Sequence, residues 1–505
     1  LVATQGIRLH ALLEQAGVRP MQPPGADPEI RGVRLDSRRV DQGDLFFALK
    51  GFRTDGERFV PQALERGAAA IVAASPRPES LSDDVAWVRV EDPRRVAGRL
   101  SRICYGKPDE AMVLVGITGT NGKTTVVFFL ESIAAAAGRP VGRIGTVSNA
   151  IDGVEVPAAL TTPEAPEFFA LLAEMREQAI DVVAMEVSSH ALELSRVDGA
   201  HFRVAAFLNL GRDHLDFHGD VESYFRAKAR LFDDLGPDAV AVLPADDMYG
   251  RRLSEQTRAQ VLTFGRSQSA DVRLTEEHRS LRGSTAILTT PSGPVPIETS
   301  LLGSFNLDNV AAAAACAHAV GIPAEAITRG VRNLRGIPGR MEAVDCGQPF
   351  GVVVDYAHTE AALSLLLSAV TDLAEGRVLL VFGCGGGRDR GKRPAMGRAA
   401  AQGADLLFLT SDNPRNEDPL EILDDVRRGI AELPGAIERS KIEPERERAV
   451  RAAIAEARAG DVVILAGKGH ETTQTVGNRE IPLDDRELAR QALAERGWGG
   501  DHADA

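Results

Sequence analysis

Short apolar runs, each closed by a glycine-rich or polar turn, recur along the chain with helical stretches between them. They fall at residues 112–117, 182–185, 204–208, 352–354, 378–382, 406–409 and 462–466. Runs this short and continuous fit parallel strands buried on both faces, and their alternation with helices predicts an α/β architecture. The residues with chemical potential stand mostly just after these runs. Open α/β sheets hold their ligands there, beyond the carboxyl ends of the strands. Two Pro- and Gly-containing breaks, Tyr105-Gly106-Lys107-Pro108 and Gly336-Ile337-Pro338-Gly339, divide the chain into expected domains at 1–108, 109–338 and 339–505.

Composition narrows the function classes. The 505 residues are 44% hydrophobic and 26% charged, with a formal charge of −14. An acidic surface repels phosphate backbones and anionic membranes, so a general nucleic-acid binder is excluded, whereas an acidic small substrate is allowed where positive charge is concentrated locally. Cys104, Cys316, Cys346 and Cys384 are scattered, with no Cys-x-x-Cys pair, which fits reduced thiols in a cytoplasm. No apolar run approaches the ~20 residues that span a bilayer. The start of the chain lacks the basic-then-apolar pattern of a signal peptide. The expectation is a cytoplasmic protein without membrane insertion, and no obligate protein partner is inferred.

The first chemical motif follows the run at 112–117. Thr118-Gly119-Thr120-Asn121-Gly122-Lys123-Thr124-Thr125 leads into a helical pattern. Strand, glycine turn, Lys-Thr and helix cradle nucleotide phosphates: backbone N–H groups approach the anion and the helix N-terminus adds a favourable dipole. Lys123 would reach the terminal phosphates and the Thr124 hydroxyl would ligate Mg²⁺. The spacing departs from the standard loop, because Ile117 stands where the first glycine is wanted. An ordinary tight turn is the alternative; ATP is the expected ligand.

Glu186 closes the run at 182–185, and an oxygen donor at a strand end near a phosphate loop is a natural second Mg²⁺ ligand. A dense cluster follows, Asp213-His214-Leu215-Asp216-Phe217-His218, which reads either as part of a metal site or as a hydrogen-bonded turn. Asp220 can cap a helix whose apolar stripe is Val221, Tyr224, Phe225, Leu231 and Phe232. Lys228 falls in that stripe. Its head either snorkels to water or is buried, and burial would depress its pKa and make the amine nucleophilic.

Gly119-Thr120-Asn121-Gly122-Lys123-Thr124-Thr125 resembles the nucleotide signature of the Mur ligases and their folylpolyglutamate synthetase relatives, and at least six motifs match in order over nearly the whole chain. The resemblance implies a central P-loop-type ATPase domain with a mostly parallel sheet, a C-terminal Rossmann-like α/β domain, and a smaller N-terminal α/β domain that binds UDP. It implies that Glu186, His214 and Lys228 form the metal site, with Lys228 carboxylated by CO₂ to an N6-carboxylysine. Asn309, in Gly303-Ser304-Phe305-Asn306-Leu307-Asp308-Asn309, resembles an adenine contact, with helix capping by Asp308 as the alternative. Arg340 and Asp355 match residues that reach phosphate and ribose.

Four cations lie within six positions at Arg388, Arg390, Lys392 and Arg393, where a solvated basic loop is the alternative to a ligand site. Asp412-Asn413-Pro414-Arg415 resembles the signature of the family members that add meso-diaminopimelate rather than lysine. Arginine suits the extra carboxylate, which it can grip bidentately. Arg388, Gly467 and Glu471 complete that implied pocket, with Glu471 facing the ammonium. Leu35 and Ser37 resemble UDP contacts, and Thr161, Thr162, Ser188 and Arg196 match residues that touch the sugar and peptide. Departures stand at Phe52-Arg53-Thr54, at Leu194 and at Gly211. The resemblance therefore implies an ATP-dependent ligase adding meso-diaminopimelate to the D-Glu γ-carboxylate of UDP-N-acetylmuramoyl-L-Ala-D-Glu. A folylpolyglutamate-type or lysine-adding ligase, or a P-loop NTPase that is no ligase, are the alternatives.

Overall fold

The structure, a computed structural model, describes residues 6–499 except 52, 53, 80, 83, 281, 282 and 372. Three sheets carry the chain as three α/β domains. The N-terminal sheet has four parallel strands, Gly32–Arg34, Asp44–Phe47, Ala70–Ala73 and Ala86–Arg89.

The central sheet is built around Val113–Thr118, which lies between Val182–Glu186 and Val204–Phe207, parallel to both. Successive residues of this strand face opposite ways. Val115 and Ile117 join a core with the helices Lys123–Ala136 and Ser304–Ala319, while Leu114 joins another with Ala165–Glu177 and Val221–Asp233. Burial on both faces explains the unbroken apolar run, each large side chain contributing about 1.5–3 kcal/mol. Beyond the parallel strands the sheet continues into an antiparallel block, Val272–Ser280, Gly283–Thr290 and Gly293–Thr299. These strands alternate buried and exposed positions over much of their length, the pattern of sheet wetted on one face.

The third sheet runs Glu342–Ala343, Gly351–Asp355, Val462–Ala466, Val378–Phe382, Leu406–Leu409 and Ser440–Ile442, parallel except for the first strand. Its loops after Asp355, Phe382, Leu409 and Ala466 open on one edge. That edge lies toward the central domain, because Arg340 reaches across to Thr124.

The helix Val221–Asp233 begins as its sequence implies, with the Asp220 carboxylate accepting from Ser223 N–H at 2.8 Å. The alanine-rich helix does not begin at Asp308. It starts at Ser304, so Asp308 lies inside it and pairs with Arg266 instead of capping. Phe52 and Arg53 lie outside the described residues.

Candidate active site

Gly122 adopts φ +89°, and a Cβ there would overlap Oδ1 of Asn309. Asn309 is held in turn by Nδ2 donating to Asn306 Oδ1 at 3.0 Å, so the alanine-rich helix rests on the phosphate loop. On the other flank Asn209 exchanges two hydrogen bonds with the Asn121 backbone, at 2.9 and 3.1 Å. Thr120 Oγ1 accepts from Gly211 N–H at 2.9 Å and meets the Tyr224 hydroxyl at 3.2 Å. A Cβ at Gly211 would make only ordinary contact, so sterics do not require glycine there.

Two lysines converge on this loop. Lys123 Nζ donates to the carbonyls of Gly119 and Thr120 at 2.8 and 2.9 Å, and Lys228 Nζ donates to the same Gly119 oxygen at 2.8 Å. Lys228 is 1% exposed and does not snorkel; its ammonium lies 4.4 Å from the Tyr224 ring centre. Burial pushes the pKa of both amines down, and Lys123 lowers that of Lys228 further. Around Lys123 the carboxylates of Glu186 and Asp213 oppose that effect, and Arg340 reinforces it.

Thr124 Oγ1 donates to Glu186 Oε2 at 3.0 Å. The same carboxylate accepts from the Thr146 N–H at 2.7 Å and the Thr146 hydroxyl at 3.1 Å. Arg340 Nη2, from the third domain, donates to Thr124 Oγ1 at 3.3 Å. Asp355 positions that arginine's neighbour by accepting from Met341 N–H at 2.8 Å, and burial raises its pKa.

Among the described residues His214 makes no hydrogen bond to Thr124 or Glu186 and packs beside Asp213 and His190. Its Nε2 lies 3.4 Å from Asp213 Oδ2 and its ring meets the edge of His190 at 4.7 Å. Burial pushes His190 and His214 each down to about 4. Among the described residues no group of three or more His, Cys, Asp or Glu side chains is gathered as a self-sufficient metal site. Thr124 and Glu186 nonetheless form a hard oxygen pair, the donor chemistry Mg²⁺ takes when nucleotide phosphates and water complete its shell.

Thr162, Ser188 and Arg196 are knitted together beside Glu186. Thr162 Oγ1 donates to the Glu186 carbonyl at 2.8 Å and accepts from Ser188 N–H at 3.1 Å, and Arg196 Nη1 donates to the Thr162 carbonyl at 3.0 Å. Thr161 joins through Thr146, hydroxyl to hydroxyl at 3.0 Å. Arg196 pairs with Glu164 at 2.9 Å, and Arg94 of the N-terminal domain lies 3.6 Å from the same carboxylate. Leu35 and Ser37 sit in the N-terminal domain, where the Ser37 hydroxyl donates to Gln62 at 2.7 Å.

In the third domain Arg415 adopts φ +52°, pinned where its N–H donates to Thr475 O at 3.0 Å and its carbonyl accepts from Gly477 N–H at 2.7 Å. Its Nη1 donates to Gly386 O at 2.7 Å. Asn413 Nδ2 donates to Glu471 Oε2 at 2.8 Å, and Gly467 packs on Asp412. Pro414 is buried beside them. The basic loop is neither wholly solvated nor wholly available to a ligand. Arg390 and Arg393 both pair with Glu417, Lys392 donates to the His358 carbonyl, and only Arg388 is exposed without a hydrogen-bond partner among the described residues.

Sequence reasoning had not singled out Thr146, Asn209 or Lys468. The first two act through contacts distant in sequence, which no local motif reveals. Lys468 could have been noticed, since a lysine two residues past the buried strand Val462–Ala466 needs a counter-charge where it is buried.

A glycine loop, paired lysines and a Thr–Glu oxygen pair, met by an arginine from a second α/β domain, define a nucleotide-phosphate-binding protein that works between domains. Three family descriptions match: Mur ligase family, catalytic domain, over residues 29–105; Mur ligase middle domain, over 117–317; and Mur ligase, glutamate ligase domain, over 339–469. The UDP-N-acetylmuramoyl-L-alanyl-D-glutamate--2,6-diaminopimelate ligase of Solibacter usitatus is 45% identical, covering 95% of this chain and 96% of its own. The protein of the same name from Geobacillus kaustophilus is 45% identical over 94% of this chain and 96% of its own. A solved structure with that name superposes with TM-score 0.69 at 31% identity, covering 98% of this chain and all of that one. The chain belongs to the Mur ligase family.

Proposed function

We propose that this protein is an ATP-dependent ligase that joins meso-2,6-diaminopimelate, through an amine, to the D-Glu γ-carboxylate of UDP-N-acetylmuramoyl-L-Ala-D-Glu, in the cytoplasmic synthesis of peptidoglycan precursors. Residues 1–108 would bind the nucleotide sugar, 109–338 ATP, and 339–505 the amino acid. The observation that carries the reading is Arg415: its backbone is fixed against Thr475 and Gly477, and it stands two residues after Asn413, which in turn holds Glu471. A guanidinium and a carboxylate held on one loop cluster suit a ligand with carboxylate and ammonium at its distal centre.

ATP would lie along the phosphate loop, with Lys123 turning from the loop carbonyls to the terminal phosphates. Asn309, Arg340 and Asp355 would flank the nucleotide. Thr124, Glu186 and His214, with Lys228 after its amine has added to CO₂, would hold Mg²⁺. Bound there, the ion would neutralise phosphate charge as it shifts between oxygens. Phosphoryl transfer to the γ-carboxylate gives an acyl phosphate and ADP. Attack by the diaminopimelate amine then forms the amide and releases phosphate. Thr161, Thr162, Ser188 and Arg196 would orient the acceptor carboxylate, and Leu35 and Ser37 its uridine end.

ADP release measured with each acceptor omitted in turn tests the reading. Release is expected to require both the UDP-linked dipeptide and diaminopimelate for turnover; indifference to both would sink it. Arg415→Ala is expected to raise the diaminopimelate KM by about a hundredfold, from the loss of a charged, two-pronged contact, while the ATP KM stays unchanged.

A further inference from the structure

Lys468 is completely buried, and the functional reading above gives it no role. Its Nζ lies 2.8 Å from Glu471 Oε2 and 3.3 Å from Asn413 Oδ1. Asn413 cannot flip its amide freely, because Oδ1 also accepts from Thr475 N–H at 2.9 Å, which directs Nδ2 to Glu471 Oε2. One oxygen of Glu471 therefore receives two donors, while Oε1 carries no hydrogen bond among the described residues.

We propose that Lys468 is a positioning residue for amino-acid recognition, fixing Glu471 through Oε2 so that Oε1 is presented, ionised and in one orientation, to the ammonium of the incoming diamino acid. This rests on the diaminopimelate reading. Without those donors, burial would act alone on the carboxyl, favouring its protonated form and weakening its grip on a cation. Burial indeed works to raise the Glu471 pKa, and the Lys468 and Asn413 contacts outweigh it, so the net shift is downward.

The other groups facing Glu471 do not supply this function. His470 is pushed down to about 4 by burial and stays neutral at working pH. Tyr356 is pushed up by burial and is also neutral. Arg446 is committed to Asp485 through two hydrogen bonds, and the Asp412 carboxyl adds no positive charge.

The test is the diaminopimelate KM of Lys468→Met as a function of pH. At neutral pH it is expected to rise at least about tenfold, the cost of a lost charged hydrogen bond. It should climb further as the pH is lowered, because removing Lys468 leaves the burial of Glu471 opposed by fewer contacts and moves its protonation to higher pH than in the wild type. The KM values for ATP and for the UDP-linked dipeptide should stay within about twofold, a split that general loosening of the fold would not give. Lys468→Met combined with Glu471→Gln should keep a high KM but lose the acidic limb.

If Lys468→Met does not fold, Lys468→Gln carries the same test, since it removes the charge while keeping a polar group in the buried seat. An unchanged diaminopimelate KM, a raised KM without the acidic limb, or an equal rise in the ATP KM would overturn the proposal. Failure of the ligase reading is distinguishable, because wild-type ADP release would then ignore diaminopimelate altogether.

Discussion

At the scale of single residues, the site depends on side chains placed against backbone. Gly122 is the sharpest case: its left-handed φ and the Oδ1 of Asn309 both forbid a side chain. Gly122→Ala is expected to lower ATP-dependent turnover by at least about a hundredfold, since backbone strain of a few kcal/mol falls on the phosphate loop. Adding Asn309→Ala should recover little, because the φ strain remains; full recovery in the assay would show that contact alone matters. Lys228 shows what the sequence made legible and what it left open. Helical spacing placed it on the apolar stripe, yet spacing could not choose between snorkelling and burial. The choice was made by Gly119 and Tyr224, which meet Lys228 only after the chain has folded. Arg393 is the opposite case. Four neighbouring cations read as one basic loop, but Glu417 and Asp425, from beyond the next strand, take Arg393 into the core.

At the scale of elements, buried parallel strands were readable because two-sided burial leaves an unbroken apolar run. The runs at 378–382, 406–409 and 462–466 coincide with Val378–Phe382, Leu406–Leu409 and Val462–Ala466. Strands 272–299 were not singled out, since their half-exposed alternation gives a weaker signal. Loop-to-loop contacts were invisible to periodicity altogether. Gly469, at φ +51°, would place a Cβ 2.7 Å from the Gly339 carbonyl oxygen and from Tyr356 Cβ. The loop bearing Glu471 thus packs directly on the loop bearing Arg340. Gly469→Ala is expected to reduce kcat/KM for both ATP and diaminopimelate, each by about tenfold or more. Arg415→Ala differs, as only the amino-acid parameter should move. Steady-state kinetics with each substrate varied would separate the two; a loss confined to one substrate in Gly469→Ala would show that the loops are independent.

At the scale of the whole molecule, burial of ionisable groups ties stability to pH. His190, His214 and His470 are each pushed down from 6.5 to about 4 by burial. Between those values the unfolded chain binds more protons than the folded one, so stability is full above about 6.5, falls as the pH drops toward 4, and loses no more from these groups below that. The urea midpoint should follow this course. His470→Asn should make the decline shallower, and an unaltered slope in that variant would remove His470 from the account. No helix among the described residues is long and apolar enough to cross a membrane.

The contact between Gly339 and Gly469 constrains how the enzyme could be redesigned. Two loops meeting spine to spine offer an engineer no side chain to trim and no gap to fill, so bulk gained on either backbone pushes the two loops apart together. On the proposed function, changes of amino-acid preference are best sought among the pendant groups, Arg388, Asn413 and Arg415, whose replacement leaves that spine intact. Natural drift in substrate choice would be channelled along the same few positions.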